Sequence, residues 1–168
     1  MRTMYEAAPT MEETSLRDAM SLFATGVTVL TVGGEQTHGM TANAFTSVSL
    51  DPPLVLVCIA HSAVMHDAIS GTKRFGVSIM GADQQSTAKY FADKRRPLGQ
   101  EQFDAVDWVE CKHSGAPLLN GSLAWIEFDL VQSYDGGDHT IFVGQVLSAS
   151  RGASAPALLF YSSAFHRI

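Results

Sequence analysis

The chain has 168 residues, 46% of them hydrophobic, with 17 acidic against 11 basic side chains and a formal net charge of −6. That supplies one core of ordinary domain size and not two, and it lacks the basic balance of a nucleic-acid binder. The longest run free of polar residues, Leu54 to Ala60, falls far short of the roughly 20 residues a bilayer span needs, so no membrane-spanning segment is expected.

Residues 1–13 show no periodicity and read as a mobile arm, followed by a single domain over 14–168. The arm has no apolar segment and carries acidic residues, unlike a secretory signal or a transit peptide, so the expected compartment is the cytoplasm. Leu16, Ala19, Met20, Phe23 and Ala24 recur at helical spacing. With Ser15 and Asp18 as a cap pair and Gly26 as the stop, they predict a helix over 15–25.

The β-branched run Val27 to Val32 predicts a strand ending at Gly33-Gly34. A second strand is expected from about His38 through Val48, closed by Asp51-Pro52-Pro53. Leu54 to Ala60, apolar at every position, reads as a strand buried on both faces. Helical spacing returns from Ser62, the expected cap, to Gly71, the expected stop. Phe75 to Met80 is another strand and Gln84 to Ala92 a short helix.

Residues 93–121 are broken by Pro97, Gly99, Gly115, Pro117 and Gly121 and read as loop, with a short strand near Trp108 to Cys111. A hairpin follows, in which Ala124 to Val131 alternates, Asp135-Gly136-Gly137-Asp138 turns, and His139 to Leu147 returns. A last strand is expected from Ala157 to about Ala164. Strands in this excess, without regular long helices between them, predict an antiparallel barrel of six or seven strands with peripheral helices.

The chemistry-bearing patterns are mostly missing. There is no G-x-S-x-G, no phosphate loop of either common type, and no H-E-x-x-H. The histidines at 38, 61, 66, 113, 139 and 166 form no i, i+4 pair, so no metal site is expected. Cys58 and Cys111 have no CxxC spacing and too few partners for a disulfide framework; Cys58 reads as a small buried hydrophobe.

Four features remain, each with an ordinary explanation beside it. Thr41, Asn43, Ser47 and Ser49 share one parity, so a regular strand sets these polar groups on one face, against a flat ligand or against water. Ala60-His61-Ser62 stands where a strand enters a helix, which suits an anion or simply a helix cap. Lys89, Lys94, Arg95 and Arg96 concentrate positive charge, for a polyanion or as a solvated run. Gly137-Asp138-His139 closes the hairpin, where a turn alone accounts for the aspartate.

In order and spacing these pieces resemble the short-chain flavin reductases that supply reduced flavin to two-component monooxygenases. The resemblance runs over 15–168. Gly39-Met40-Thr41 through Ser47-Val48-Ser49-Leu50-Asp51-Pro52-Pro53 carries it, with Gly137-Asp138-His139 ahead of Phe142-Val143-Gly144. Phe23-Ala24-Thr25-Gly26-Val27, Phe75-Gly76-Val77-Ser78 and Leu158-Leu159-Phe160-Tyr161 support it.

The resemblance implies a mainly β, Greek-key split barrel, a homodimer, and hydride transfer from NADH or NADPH to FMN or FAD for a partner monooxygenase. It implies that Thr41, Asn43, Ala44, Ser47, Val48 and Ser49 lie along the flavin ring and ribityl chain. Ala60, His61 and Ser62 meet the phosphate, with Phe91 and Lys94 approaching it. His139 borders the nicotinamide, with Tyr161 a further candidate there. A pyridoxamine-phosphate-oxidase-like enzyme and a non-catalytic flavin- or haem-binding module are the alternatives. The absence of a nucleophile fits hydride transfer, in which the protein orients and the cofactors react.

Overall fold

The computed structural model describes residues 15–168. The arm expected over 1–13 lies outside the described residues. In chain order the first elements are α1 (Leu16–Ser21), β1 (Thr25–Gly26), β2 (Thr28–Val32), β3 (His38–Ala42), β4 (Phe45–Leu50) and β5 (Pro53–Ala60). Next come α2 (Val64–Thr72), β6 (Arg74–Ile79), α3 (Gln85–Ala92), β7 (Trp108–Glu110) and β8 (Pro117–Leu119). The chain ends with β9 (Ala124–Asp135), β10 (His139–Arg151), β11 (Leu158–Tyr161) and β12 (Ala164–Arg167).

Seven strands form one antiparallel sheet in the order β3-β2-β6-β9-β10-β5-β4. The sheet curls so that its two edge strands are consecutive in the chain, joined only by Asn43-Ala44. The Cys58 N–H donates to the Ala44 carbonyl at 3.0 Å, fastening this junction to the far edge. The result is a barrel split along one seam, in agreement with the expected class. β9 and β10 lie between β5 and β6 in the sheet, so the chain through α2 crosses two strands in Greek-key fashion.

The interior follows from strand alternation. Val55, Val57 and Ile59 of β5 point inward with Leu30, Val32, Phe75, Val77, Phe128 and Phe142, and α2 plugs one side with Met65, Ala68 and Ile69. Each large side chain so buried contributes about 1.5–3 kcal/mol. A second cluster lies outside the barrel wall, where Val27, Val29, Met80, Ala88, Phe91, Phe103, Leu119 and Leu158 fill the space beneath α3 and the 93–121 segment.

Several expectations change. The first helix stops at Ser21, because Thr25-Gly26 must be extended to pair with Phe160 and Leu159. Ser15 does cap it, accepting from the Asp18 N–H. Its apolar stripe finds no core among the described residues: Leu16 is 79% exposed and Phe23 66%. The strand expected over 38–48 is two strands on opposite sheet edges, broken by a bend at Asn43.

The outer face of β5 is half-buried rather than buried: Leu54, Leu56, Cys58 and Ala60 are all partly exposed. Ala63, not Ser62, stands at the cap of α2, without a side-chain bond, and the helix runs past Gly71 to end at Lys73 with φ 59°. The last strand is a hairpin, turned by Ser162 and Ser163 at positive φ. The central hairpin is longer than expected, reaching Arg151.

Candidate functional site

The seam places the polar run of the sequence. β3 pairs only with β2 and β4 only with β5, so the outer backbone edge of each is free of sheet partners. Asn43 and Ala44, exposed, bridge the two edges. The Asn43 amide and the Ser49 hydroxyl have no hydrogen-bond partner among the described residues. Thr41 is different: its hydroxyl donates to the Ala88 carbonyl at 2.6 Å and ties β3 to α3.

The shared parity of Thr41, Asn43, Ser47 and Ser49 does not survive as one flat face. The bend at Asn43 interrupts it, and a bulge at Val48 sets Ser47 opposite Val55 but Ser49 opposite the adjacent Leu54. Val48 itself is 49% exposed. The run is a curved, half-open strip along the seam.

β5 carries the second feature to the same end of the barrel. Ala60 is the register partner of His139, and the His61 N–H donates to the Asp138 carbonyl at 3.0 Å. Ala44 is held against β5 two residues before Ala60, so the seam, the 60–62 segment and His139 occupy one rim. Gly137, at φ 82°, permits the tight turn that presents His139 there.

Around the rim the imidazoles and carboxylates pair. His139 Nδ1 lies 2.6 Å from Asp138 Oδ1, and this hydrogen bond holds the Asp138 carboxyl below the ordinary carboxylate range. His61 Nε2 is 3.9 Å from Asp135 Oδ1, and its ring meets that of His66 edge-on at 5.3 Å. His66 Nε2 lies 2.9 Å from Thr140 Oγ1. Sequence reasoning passed over His66 and Thr140 and gave Asp138 only a turn role. The β5–β10 pairing, which sets Thr140 opposite Ile59, and the 2.9 Å bond from Thr140 to His66 join them, and neither is local in sequence.

Two expected site residues fall elsewhere. Phe91 is 0% exposed, packed in the second cluster against Tyr90 and Phe103, and offers no face to a ligand. Its role is to support β3 from behind: a Cβ on Gly39 would stand 2.6 Å from the Phe91 ring, so glycine is required there. Tyr161 belongs to the separate β1-β11-β12 sheet, where its ring meets His166 at 5.8 Å. None of its ring contacts reaches His139.

The basic cluster divides. Arg96 is a structural residue: its guanidinium bonds the Gly39 and Asp93 carbonyls and lies over the Phe91 ring. Burial lowers its pKa. Beneath it, burial and then the Arg96 charge push His38 down to about 4, so this ring is neutral. Arg95 pairs with Asp93 at 2.8 Å. Lys94 is exposed in the turn after α3, and no bond joins it to the 60–62 segment. Lys89 is exposed on the last turn of that helix.

The arrangement is a mainly β barrel split along a polar seam, with an oriented histidine at its rim. The family description of a flavin reductase like domain matches residues 20–168, and the chain belongs to that family. It is 49% identical over 156 residues to an NADH-dependent FAD reductase of Streptomyces globisporus, covering 93% of this chain and 86% of that protein.

Among solved structures, the flavin reductase component BorF of a bacterial two-component tryptophan halogenase superposes with a TM-score of 0.88 at 50% identity. That match covers 91% of this chain and 96% of the other. The NADH:FAD oxidoreductase of Streptomyces globisporus, in complex with NAD and FAD fragments, gives 0.86 at 48%, covering 91% and 90%.

Proposed function

We propose that this chain is an NADH:flavin oxidoreductase that reduces FMN or FAD and passes the reduced flavin to a monooxygenase component. The observation that carries the reading is the rim: a polar seam, whose Asn43 amide and Ser49 hydroxyl have no partner among the described residues, beside a histidine whose Nδ1 is fixed by Asp138 at 2.6 Å. The seam fits a flavin because free strand edges and the Asn43 amide offer hydrogen bonds to ring carbonyls and nitrogens. A flavin held there supplies the hydride acceptor.

The chain's own residues do the rest. Thr41, Asn43, Ala44, Ser47, Val48 and Ser49 hold the ring along the seam and leave its other face open to the donor. Donors fixed at the edge where negative charge develops stabilise the reduced product more than the substrate. Ala60, His61, Ser62 and Lys94 serve the ribityl phosphate. His139, aligned by Asp138, orients the nicotinamide so that the two rings meet in reacting contact. NADPH serves as donor only to the extent that the rim tolerates its extra phosphate.

The same reading makes the protein a cytoplasmic homodimer. Leu16, Met20, Phe23 and Leu50 form apolar surface that a second copy would cover. Among the described residues no helix is long and apolar enough to cross a membrane. A pyridoxamine-phosphate oxidase would place basic side chains around its substrate's phosphate, and the 60–63 segment brings only histidine.

Mixing the purified protein with FMN or FAD and NADH under anaerobic conditions tests the proposal. Flavin absorbance should bleach at a rate proportional to enzyme. Flavin binding without bleaching by NADH or NADPH would identify a binding module instead.

A further inference from the structure

We infer that His66 is a positioning residue for both ligands of the reaction. Through Thr140 it fixes the strand end that presents His139 to NADH, and through ring contact it fixes His61 beside the flavin phosphate. The inference rests on the flavin reductase reading above, and it assigns a role to a side chain that the reading leaves unused.

His66 stands half-buried in the first turn of α2, and three groups hold its ring. Nε2 lies 2.9 Å from the Thr140 hydroxyl of β10. The ring centroid is 5.3 Å from that of the buried Phe142, at the end of the barrel core. It is also 5.3 Å from the His61 ring, which it meets edge-on at 74°. Nδ1 lies 3.3 Å from Asp67 Oδ1. A carboxylate only accepts, so a neutral ring with its hydrogen on Nδ1 leaves Nε2 to accept from the Thr140 hydroxyl. Leucine and valine would fill the same space; the polar pair adds direction to the packing.

The strand carries that direction to His139. Thr140 is the register partner of the inward-facing Ile59, and His139 that of Ala60. Successive side chains point to opposite faces, so Thr140 faces the interior that α2 plugs while His139 faces out. The bond from His66 therefore tethers β10 one residue from His139. It does so where the strand leaves the barrel, beside a hairpin end whose residues 131–138 are all exposed.

Asp138 closes the circuit. Its carboxylate pairs with His139 at 2.6 Å, and its carbonyl accepts the His61 N–H at 3.0 Å. The imidazoles assigned to the two ligands thus share Asp138 on one side and His66 on the other.

Riboflavin lacks the phosphate, so comparing it with FMN separates positioning from folding. Binding of both oxidised flavins is read by fluorescence, and steady-state kinetics are run against NADH. Thr140→Val should raise the KM for NADH roughly 3- to 10-fold, the size of one lost hydrogen bond, with kcat and binding of both flavins within about twofold. His66→Leu should raise the KM equally and also weaken FMN binding roughly threefold or more, with riboflavin binding within about twofold. Thr140→Ser and His66→Gln each keep a hydrogen-bonding group in reach and should restore the KM. Once His139 is alanine, Thr140→Val should add nothing.

Equal weakening of riboflavin and FMN by His66→Leu overturns the inference, because it reduces the residue to a structural prop. A Thr140→Val effect undiminished beside His139→Ala overturns it too, as does an unchanged KM in Thr140→Val and His66→Leu. In each of these results the wild type still reduces flavin with NADH, and the parent reading stands. A wild type that binds no flavin, or oxidises no NADH when flavin is present, refutes both.

Discussion

Replacing His139 with alanine tests the division of labour at the rim. The imidazole is 43% exposed by side chain and its one close partner is the Asp138 carboxylate at 2.6 Å, so its loss opens no cavity in the core. A stacking contact with a nicotinamide ring is worth about 0.5–1.5 kcal/mol, and a hydrogen bond to its carboxamide about 0.5–1.5 kcal/mol. Together these give about 1–3 kcal/mol, so the KM for NADH should rise roughly 5- to 150-fold.

The dissociation constant for oxidised flavin should stay within about twofold, since the seam contacts are untouched. Asp138→Asn should raise the same KM by less, because it acts by aligning His139, and should add nothing once His139 is alanine. Steady-state kinetics against NADH and flavin titration of all four members of the cycle supply the numbers. Equal losses of NADH and flavin affinity in His139→Ala, or an undiminished Asp138→Asn effect in its absence, would refute the assignment.

Three further outcomes concern the frame around the seam. Arg96→Met should cost about 2–4 kcal/mol through its charged bonds to two backbone carbonyls, a Tm lower by roughly 4–16 °C in a calorimetric scan. Gly39→Ala drives a Cβ to 2.6 Å from the Phe91 ring; overpacking should cost about 1–3 kcal/mol, and Phe91→Leu in the same chain should recover part of it in urea unfolding. Burial works to raise the Glu127 pKa, but bonds from the Cys111 thiol, the His113 N–H and the Ser148 hydroxyl outweigh it and hold the group below 4.5. Its contribution is therefore complete above the ordinary carboxylate range and lost as pH falls through the lowered value. Chemical unfolding across the acid range should show a shallower decline for Glu127→Gln than for the wild type.

What could be read from the residues alone follows from where tertiary contacts decide. β2, β6 and the central hairpin were legible because Thr28 to Val32, Arg74 to Ile79 and the alternation from Ala124 carry their strand signal locally. Asn43-Ala44 gave no such signal. Asn43 favours turns, but alone among strand-compatible neighbours it does not outweigh the strand pattern, and the break exists because two sheet edges must meet. Helical spacing from Leu16 to Ala24 likewise overran Ser21, since the pairing of Thr25 with Phe160 is non-local. Phe91 shows the limit of carrying a role over by position: the resemblance supplied a ligand contact, while its 0% exposure supplies a core contact.

The seam also accounts for the missing catalytic motifs. An enzyme that activates a nucleophile needs a base, an orienter and a strained turn, each visible as residue types at fixed spacing. Hydride transfer between two bound rings needs surfaces instead: a free strand edge, a few short polar side chains and one oriented imidazole. A barrel left open between β3 and β4 provides the edge through topology, which no spacing of residues encodes. On the proposed reading the chemistry is held by groups that look ordinary in sequence, and Gly137-Asp138-His139, with a positive φ at Gly137 and a 2.6 Å pair between the other two, is a feature legible in both.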